Sequence, residues 1–401
     1  DLATQGALEE FTRQSDEYLY APDPTEMSAS IGGTVATNAS GARTYRYGPT
    51  RDWVRALRVM LPSGEVLSIE RDEFIAASGG EFQLEDSRGR IQTIQLPTYR
   101  MPPTKNTAGF YSAAQIDLID LFIGSEGSFG IITQVTVALI KRTEKISVVL
   151  FLDSDRQAID LVKALRADSR LQLDFLEFYS GTALDLLRSR QLQDPKSVDL
   201  PDIPEAAGAA LFFEYGFDAL APAVDDTVLL ETIESHGAHI ANSWAAYENR
   251  ELKRLKNFRH ILPETINAII ADRKKQMPKL HKLSTDLAVP GDKLDAMWKY
   301  YIDALEKENL QWAAFGHIGD NHIHVNILPR DESELERGLT LYEKFAARAV
   351  ALGGTVSAEH GIGKIKKNYL KLLYNRDQLE QMMLLKRAFD PEGLLNHGNI
   401  F

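Results

Sequence analysis

The sequence contains no cysteine, and this absence excludes several kinds of chemistry. Disulfide bonds, iron–sulfur clusters ligated by this chain and thiolate catalysis all require cysteine sulfur. Any redox chemistry of this protein must therefore depend on a bound cofactor.

Long hydrophobic runs and an excess of basic charge are also absent. No stretch approaches the roughly 18 uninterrupted apolar residues of a membrane-spanning helix, and the opening DLATQGALEEF lacks the regions of a signal peptide. Lysine and arginine number 45 against 57 aspartates and glutamates, a net charge of −12 that opposes binding to phosphate backbones. We therefore expect no nucleic-acid partner and a cytoplasmic location, with peripheral membrane association as an open alternative.

The 401 residues, 44% hydrophobic and 25% charged, have the composition of a globular protein with more than one domain. Short strands and glycine-rich loops are predicted up to about residue 140, with a hairpin turn at Leu61–Glu65. Beyond Lys141, apolar strand-like runs alternate with amphipathic helices, beginning with a strand at 146–152 and a helix at 155–166. This alternation indicates an α/β or α+β arrangement.

The strongest chemical signal is a concentration of histidines, four of the nine, in GHIGDNHIHVN at 316–326 and SAEHGIG at 357–363. In a strand, His322 and His324 point to the same face, and the Gly-Asp-Asn turn can fold His317 back toward them. Two imidazoles and a carboxylate form a common open site for zinc or another divalent ion. The alternative is a set of exposed or hydrogen-bonded core histidines, but the density of the cluster favours a metal site.

Two glycine-rich segments, 31–41 and 124–133, combine bare backbone with small hydroxyl side chains. Such loops can cradle a phosphate or bond to a planar ring, although glycine loops more often only make tight turns. Neither segment matches the G-x-G-x-x-G pattern or a P-loop. A nicotinamide-dependent Rossmann enzyme and a P-loop ATPase are therefore disfavoured.

Seven motifs occur in an order that resembles one family. They are IGGTVATNASG at 31–41, YGPTRDWV at 47–54, KNTAGFY at 105–111, GSEGSFGIIT at 124–133, GHIGDNHIHVN at 316–326, SAEHGIGK at 357–364 and FDPEGLLNHGNIF at 389–401. With them the chain resembles the FAD-linked 2-hydroxy-acid dehydrogenases, the group of D-lactate dehydrogenase, the glycolate oxidase flavoprotein subunit and D-2-hydroxyglutarate dehydrogenase in the vanillyl-alcohol-oxidase superfamily.

The resemblance implies an α+β fold with three segments. Residues 1–143 would form an FAD-binding domain of the vanillyl-alcohol-oxidase (PCMH) type, and residues 144–375 a cap domain with a large antiparallel sheet flanked by helices. Residues 376–401 would return to the flavin domain.

The resemblance also implies roles for individual residues. His317, His324 and Glu359 are similar to the family's metal ligands, and His360 to its catalytic base, for which an imidazole with a reference pKa of about 6.5 is suited. Arg259 and Lys282 lie where family members hold the substrate carboxylate. The alternative, given equal weight, is that both are solvent-exposed charges on a helix or strand with no role in binding. The residues that resemble FAD contacts are Gly32, Gly33, Thr37, Asn38, Gly41, Glu126, Gly127, Ile132 and Asn396.

The implied activity is oxidation of a D-2-hydroxy acid of the lactate, glycolate or 2-hydroxyglutarate class to the 2-oxo acid. Hydride would pass to FAD, and a divalent metal, with zinc favoured, would assist proton removal. The implied partners are a small anionic 2-hydroxy acid as substrate and a separate electron acceptor. The candidates for the acceptor are an iron–sulfur protein and a membrane-associated protein. The chain could also form a homodimer. The two alternatives are a flavin-free metal-dependent hydrolase and a non-catalytic subunit that retains the fold.

Three features depart from the family pattern. The chain starts just ahead of Tyr20–Pro24, where relatives carry a further glycine-rich segment around the FAD pyrophosphate, so we expect a fragment with only part of the cofactor site. The tail reads Asn-His-Gly-Asn at 396–399 where relatives usually carry Asn-Pro-Gly-Lys. Asn321-His322 replaces a Gly-Asn pair, so His322 competes with His324 for the metal.

Overall fold

A computed structural model describes residues 3–14, 17–24, 26–85, 87–193, 200–217 and 224–401. The chain divides into unit 1, which comprises Asp1–Arg142 and Ala349–Phe401, and unit 2, which comprises Thr143–Arg348. Within the described ranges, none of the helices combines the length and the apolarity needed to cross a membrane.

The first part of unit 1 consists of short strands and short helices. The helices are α1 (Gln5–Gln14), α2 (Ile31–Ala36), α3 (Thr44–Tyr47) and α4 (Leu118–Phe122). The strands are β1 (Tyr18–Leu19), β2 (Val54–Met60), β3 (Val66–Glu70), β4 (Ile75–Ala77), β5 (Glu81–Glu85), β6 (Ile91–Gln95), β7 (Gln115–Asp117), β8 (Ile131–Val137) and β9 (Ile140–Lys141). They pair antiparallel as a sheet of order β3-β2-β8 and as the pairs β1-β9, β4-β7 and β5-β6.

The central strand β2 shows why this part of the chain forms a sheet with one buried face. Val54, Leu57 and Val59 are buried, a spacing that departs from strict alternation because the register with β8 shifts between Val54 and Ala56. The predicted hairpin joins β2 to β3, with the Leu61 N–H donating to the Glu65 carbonyl at 2.8 Å. The sequence-based hairpin is therefore confirmed.

Unit 2 is built on a seven-stranded sheet with helices. The strands are β10 (Glu144–Leu152), β11 (Phe175–Ser180), β12 (Ala209–Phe217), β13 (Ser243–Ala246), β14 (Leu283–Ser284), β15 (Trp312–Gly316) and β16 (His324–Ile327). The helices are α5 (Asp155–Ala167), α6 (Gly181–Gln193), α7 (Asp226–Ser235), α8 (Asn249–Lys274), α9 (Leu294–Glu308) and α10 (Glu332–Ala351). The strand order is β13-β10-β12-β11-β15-β16-β14 and every pair is antiparallel. The predicted α+β fold with a large antiparallel sheet is therefore confirmed.

The core of unit 2 lies between this sheet and its helices. All six residues of β11 are buried, which suits an apolar strand covered on both faces. On α8, the Phe258 ring lies 4.6 Å from the Tyr179 ring of β11, centroid to centroid, and 5.5 Å from the Trp244 ring of β13. The long helix therefore covers the face of the sheet that carries Tyr179, and it does so with close aromatic packing.

Unit 1 is completed by α11 (Lys367–Leu373) and α12 (Arg376–Phe389). The sequence placed its domain boundaries after residues 143 and 375, whereas the structure divides the chain after Arg142 and Arg348. The reason is hydrogen bonding that a local pattern does not show: the Thr107 N–H donates to the Ser357 carbonyl at 2.9 Å, and the Gly361 N–H to the Thr107 hydroxyl at 3.1 Å. These bonds make the segment around Ser357 part of unit 1.

Helix α5 begins with a half-buried acid whose ionisation depends on folding. The Asp155 carboxyl accepts a hydrogen bond from the Gly181 N–H at 3.2 Å, and burial raises the pKa of Asp155 from 3.8 to about 7. Between these two values the folded protein holds a proton at Asp155 that the unfolded chain has lost. The free energy of unfolding therefore falls as the pH rises from the lower to the higher of these pKa values. Above the higher value, the stability contributed by the proton at Asp155 is completely lost.

We expect Asp155→Asn to remove this dependence, because the amide keeps an acceptor oxygen and does not titrate. At about pH 8 the variant should exceed the parent in free energy of unfolding by roughly 1–3 kcal/mol, whereas near pH 4 the two should agree. Urea denaturation across the pH range measures the difference. The exposed neighbour Asp153, changed to Asn, is the control, and a parallel pH profile for parent and Asp155→Asn would contradict the assignment.

Candidate functional site

Three histidines of unit 2 form one buried cluster. His317, His322 and His324 have 6%, 0% and 7% of their surface exposed. The ring centroids of His322 and His324 lie 4.4 Å apart, and that of His317 lies 5.4 and 5.6 Å from theirs, respectively. One ring nitrogen from each residue lies within 4.8 Å of the others. Three imidazoles that converge at this separation have the arrangement of ligands that share one metal ion.

A tight turn after β15 brings the three rings together. Gly316, the last residue of β15, has φ +125°, and a Cβ there would lie 2.9 Å from the His324 ring. A short 3-10 helix at Ile318–Asp320 reverses the chain, and the His322 N–H donates to the His317 carbonyl at 3.1 Å. The turn thus folds His317 back as the Gly-Asp-Asn motif predicts.

His322 itself lies just outside the strand that was predicted to contain it. Strand β16 begins at His324, and His322 pairs with Ala288 only through an isolated bridge. The difference arises because the turn continues to Asn321, whose left-handed φ of +52° interrupts regular pairing.

Two of the imidazoles are fixed by hydrogen bonds on their outer nitrogen. His317 Nδ1 lies 2.5 Å from Glu177 Oε1, and His324 Nδ1 lies 2.9 Å from the Thr285 carbonyl oxygen. A carboxylate and a carbonyl only accept, so Nδ1 carries the hydrogen in each ring. In the neutral ring the lone pair is therefore on Nε2, which is the arrangement found in metal-binding histidines.

The third imidazole lies beside a buried carboxylate. His322 Nε2 lies 3.2 Å from Asp286 Oδ1, and neither side chain is exposed. The contact does not have hydrogen-bond geometry, so it does not determine which ring nitrogen carries the hydrogen. Hydrogen-bonded acceptors thus lie behind two of the three rings.

The sequence analysis did not identify Glu177 and Asp286, although the sequence around each residue is unusual for an acid. Each is an acid inside an apolar run, Glu177 in FLEFYS of β11 and Asp286 in STDLAV. Both are buried, at 2% and 0% exposed. A buried carboxylate requires a hydrogen-bonding or ionic partner, so an acid at the centre of a buried strand marks a paired site.

Arg259 lies on α8 and is half-buried. Burial raises the pKa of the Tyr179 hydroxyl well above its usual value, the Glu177 carboxylate adds to this rise, and the Arg259 charge opposes it. Arg259 and Glu177 therefore both lie near the Tyr179 hydroxyl. Since Glu177 and Tyr179 are two residues apart on β11, they share one face of the sheet.

Lys282 directly precedes β14 and is also half-buried. Burial lowers the pKa of its ammonium group. Among the residues that the structure describes, no carboxylate forms a salt bridge with it. A cation in this setting can accept an anionic ligand.

Glu359 and His360 lie in unit 1. The Glu359 carboxylate forms a salt bridge of 2.7 Å with Lys105 Nζ and accepts a hydrogen bond of 3.3 Å from the Ser40 hydroxyl. His360 Nε2 lies 3.5 Å from Glu359 Oε1, and the His360 side chain is 57% exposed. The residues predicted as acidic ligand and base are thus neighbours, and Lys105 and Ser40, which sequence reasoning did not assign, hold the carboxylate.

The two glycine-rich loops that resemble flavin contacts lie against each other within unit 1. The Gly124 N–H donates to the Val35 carbonyl at 3.0 Å, and the Glu126 N–H to the Ala36 carbonyl at 2.7 Å. A Cβ added to Gly32 would lie 3.2 Å from the Ile132 carbonyl oxygen, which places these two residues side by side. The loops therefore form one continuous surface of backbone.

Other residues of the same surface have distinct roles. A Cβ at Gly33 would lie 2.9 Å from the Ser30 hydroxyl, and one at Gly41 would overlap the Asp23 carbonyl oxygen, so close packing alone accounts for both glycines. Gly127, by contrast, has φ +71° and no atom within 4 Å of an added Cβ. Its open side leaves room for a planar group to approach the backbone.

The polar members of the surface are bonded within unit 1. The Thr37 hydroxyl donates to the Gly33 carbonyl at 3.0 Å, and Asn38 Oδ1 accepts from the Arg51 N–H at 2.9 Å. These bonds fix the path of the loop that follows α2.

Glu126 connects this surface to the end of the chain. Its carboxylate accepts the N–H groups of Ile362 and Gly363 at 2.6 and 2.8 Å, and its carbonyl accepts a hydrogen bond from the Asn396 side chain. Burial raises the pKa of Glu126, and the two backbone bonds oppose that rise. The Glu126 side chain therefore anchors the loop at 361–363, while the Glu126 backbone forms part of the glycine-rich surface.

Comparisons with known proteins identify a family for each of the two units. A family model described as the FAD-binding domain matches residues 3–70, and one described as the C-terminal domain of FAD-linked oxidases matches residues 141–400. The chain belongs to the FAD-linked oxidase family. The predicted family, the predicted flavin-domain type and the predicted enzyme class, an FAD-linked oxidoreductase, are thereby confirmed.

Several curated proteins resemble this FAD-linked oxidase. Glycolate oxidase subunit GlcD of Bacillus subtilis is 28% identical over 399 residues, which cover 97% of this chain and 72% of that protein. D-2-hydroxyglutarate dehydrogenase of Stutzerimonas stutzeri is 27% identical, with 98% and 74% covered. D-lactate dehydrogenase of Anaerostipes hadrus is 28% identical, with 95% and 71% covered.

Among solved structures, alkyldihydroxyacetonephosphate synthase has a similar fold, with a TM-score of 0.58 and 15% identity. The match covers 98% of this chain and 62% of that chain. The FAD-linked oxidase thus spans less than two thirds of this structural neighbour, and the likeness concerns the fold alone.

The ion pair of Lys105 and Glu359 is predicted to contribute to the stability of unit 1. Both side chains are at most 10% exposed, so Lys105→Met leaves a buried carboxylate without its cation. We expect the free energy of unfolding in urea to fall by about 3 kcal/mol. Adding Glu359→Gln to Lys105→Met should recover part of the loss, with a coupling energy above about 1 kcal/mol.

The exposed pair of Lys299 and Asp303 provides the control, because its side chains are 76% and 60% exposed. Lys299→Met should change the free energy of unfolding by less than about 1 kcal/mol. Strictly additive losses in the Lys105 and Glu359 double variant would contradict the predicted coupling.

Proposed function

We propose that this FAD-linked oxidase oxidises a D-2-hydroxy acid of the lactate, glycolate or 2-hydroxyglutarate class to the corresponding 2-oxo acid. The observation that carries the proposal is the buried cluster of His317, His322 and His324, in which hydrogen-bonded acceptors behind His317 and His324 direct the lone pairs of those two rings. The names of three relatives, which refer to glycolate, D-2-hydroxyglutarate and D-lactate, support the substrate class.

For the metal we assign His317 and His324 of unit 2 and Glu359 of unit 1 as ligands. The assignment is supported by the chemistry of the donors, since neutral imidazole and carboxylate suit zinc and similar divalent ions. A divalent ion held by these residues supplies a positive charge that lowers the pKa of a coordinated hydroxyl group.

For the flavin we assign the surface formed by the loops 31–41 and 124–133 of unit 1. The fit is supported by the open side of Gly127 and by the bare backbone of Gly32 beside Ile132. The other assigned residues are Gly33, Thr37, Asn38, Gly41, Glu126 and Asn396. FAD, when bound, supplies the acceptor for a hydride and is reoxidised by a separate electron acceptor, for which an iron–sulfur or membrane-associated protein is proposed.

The chain's own residues then have separate tasks in the reaction. His360 accepts the hydroxyl proton of the substrate, while the bonding pair of the α-carbon–hydrogen bond leaves with its hydrogen as hydride. The substrate thereby loses two electrons and two hydrogens, and its carbinol carbon becomes a carbonyl. Arg259 binds the carboxylate through its planar guanidinium, and Lys282 adds a second positive charge.

The substrate class is tested by flavin reduction without oxygen. The full chain, saturated with FAD and zinc, is mixed with the D and L forms of lactate and 2-hydroxyglutarate, and with glycolate. We expect one or more D acids or glycolate to bleach the visible flavin absorbance, with the L enantiomers inactive. Bound FAD that none of these acids reduces would contradict the proposal and favour a non-catalytic subunit.

His360→Ala tests the proton acceptor. Removal of a general base typically costs about 10²- to 10⁴-fold in rate, so flavin reduction by the preferred D acid should slow by that factor. FAD binding, followed by flavin fluorescence, should not change. His239→Ala, at an exposed position of unit 2, is the control. Reduction at the parent rate in His360→Ala would show that another group removes the proton.

A further inference from the structure

We propose that His322 is a third imidazole ligand of the metal, so that unit 2 by itself supplies a three-nitrogen site. The inference rests on the proposed function for the existence of a metal, but it assigns a residue that the proposed reaction does not use. The ligand set of this chain would then be His317, His322 and His324, with Glu359 as an additional carboxylate.

The first support is the position of His322 within the cluster. Its ring centroid is 4.4 Å from that of His324, the shortest of the three separations, and its side chain is completely buried. Two atoms bound to one ion at about 2.1 Å each lie no more than about 4.2 Å apart. One nitrogen of each ring lies within 4.8 Å of the others, so ring movements of only about an ångström would let them share an ion.

The second support is the carboxylate beside the ring. Asp286 Oδ1 lies 3.2 Å from His322 Nε2, so a buried negative charge adjoins the imidazole. Glu177 likewise adjoins His317, to which it is hydrogen-bonded. Carboxylates next to histidine ligands increase the basicity of the imidazole.

The third support is charge. Glu177 and Asp286 bring two carboxylates into the interior directly behind the imidazoles, at 2% and 0% exposed. A dication bound by the three rings would lie next to both carboxylates and balance their negative charge.

The fourth support is the residue that precedes His322. Asn321 adopts φ +52°, a conformation that glycine adopts readily and asparagine tolerates. Its Oδ1 accepts a hydrogen bond of 2.6 Å from Arg166 of α5, which fixes the turn. The Asn-His pair therefore keeps a tight turn and places an imidazole directly after it.

The three-imidazole site predicts which ions bind. Imidazole nitrogen suits zinc and the later transition metals, whereas magnesium and calcium prefer oxygen ligands. We expect the full chain to bind zinc in the presence of a large excess of magnesium. Three protein nitrogens also leave coordination positions for Glu359 and for the oxygens of a 2-hydroxy acid.

The test uses the full chain, stripped of metal with a chelator and then titrated with zinc. X-ray absorption at the zinc edge should count three imidazoles in the parent and two in His322→Asn. The zinc affinity of His322→Asn, measured by competition with a zinc indicator, should fall by more than about 100-fold, since even outer-shell partners account for about 10- to 100-fold. Asp286→Asn should lower it by about 10- to 100-fold.

Two controls separate this inference from the proposed function. His239→Asn, at an exposed position, should bind zinc as the parent does. Glu359→Gln should retain three imidazoles in the zinc spectrum. Flavin reduction by a D-2-hydroxy acid is measured on the same samples, so loss of the substrate activity and loss of the third ligand are observed independently.

Two imidazoles in the parent spectrum, or an unchanged zinc affinity in His322→Asn, would overturn the inference. Absence of zinc binding by the parent would overturn it together with the metal assignment, while the flavin reaction stays testable by itself. If His322→Asn does not fold, as judged by circular dichroism, the imidazole count of the parent and the affinity of Asp286→Asn decide the question.

Discussion

The hydrogen bond between His317 and Glu177 is the interaction on which the rest of the candidate site depends. It joins the turn after β15 to the middle of β11 at 2.5 Å, fixes the hydrogen of the ring on Nδ1 and directs the lone pair on Nε2. The Glu177 carboxylate can be buried because it has this partner. The Thr285 carbonyl has the same effect on His324, so the same arrangement occurs twice in the cluster.

The seven-stranded sheet makes this arrangement possible. Strands β11, β15 and β16 are neighbours, so an acid in the first and histidines at the ends of the other two come together without a long loop. Helix α8 covers the face that carries Tyr179 and brings Arg259 near the Tyr179 hydroxyl. A buried part of the sheet thus supports a set of donors near a cation that can bind an anionic substrate.

Much of this could be predicted from the sequence, because strand periodicity and turn chemistry are local. The hairpin at Leu61–Glu65 and the strand–helix alternation of unit 2 were predicted, and the turn folds His317 back toward the other two histidines. Glu177 and Lys105 were not predicted, since their partners lie 140 and 254 residues away in the chain. Pairings at that distance depend on strand order, which the motifs do not contain. The sequence predicts that 376–401 returns to the flavin domain, whereas unit 1 already includes the chain from Ala349 onward.

The central claim, that hydrogen-bonded acceptors fix the tautomers of His317 and His324, is tested most directly by nitrogen NMR of the histidine side chains in the metal-free full chain. Long-range spectra that correlate ring nitrogens with ring protons distinguish the two neutral tautomers, and single His→Asn variants assign the signals. The account predicts that His317 and His324 carry their hydrogen on Nδ1. The opposite tautomer at either ring would contradict it.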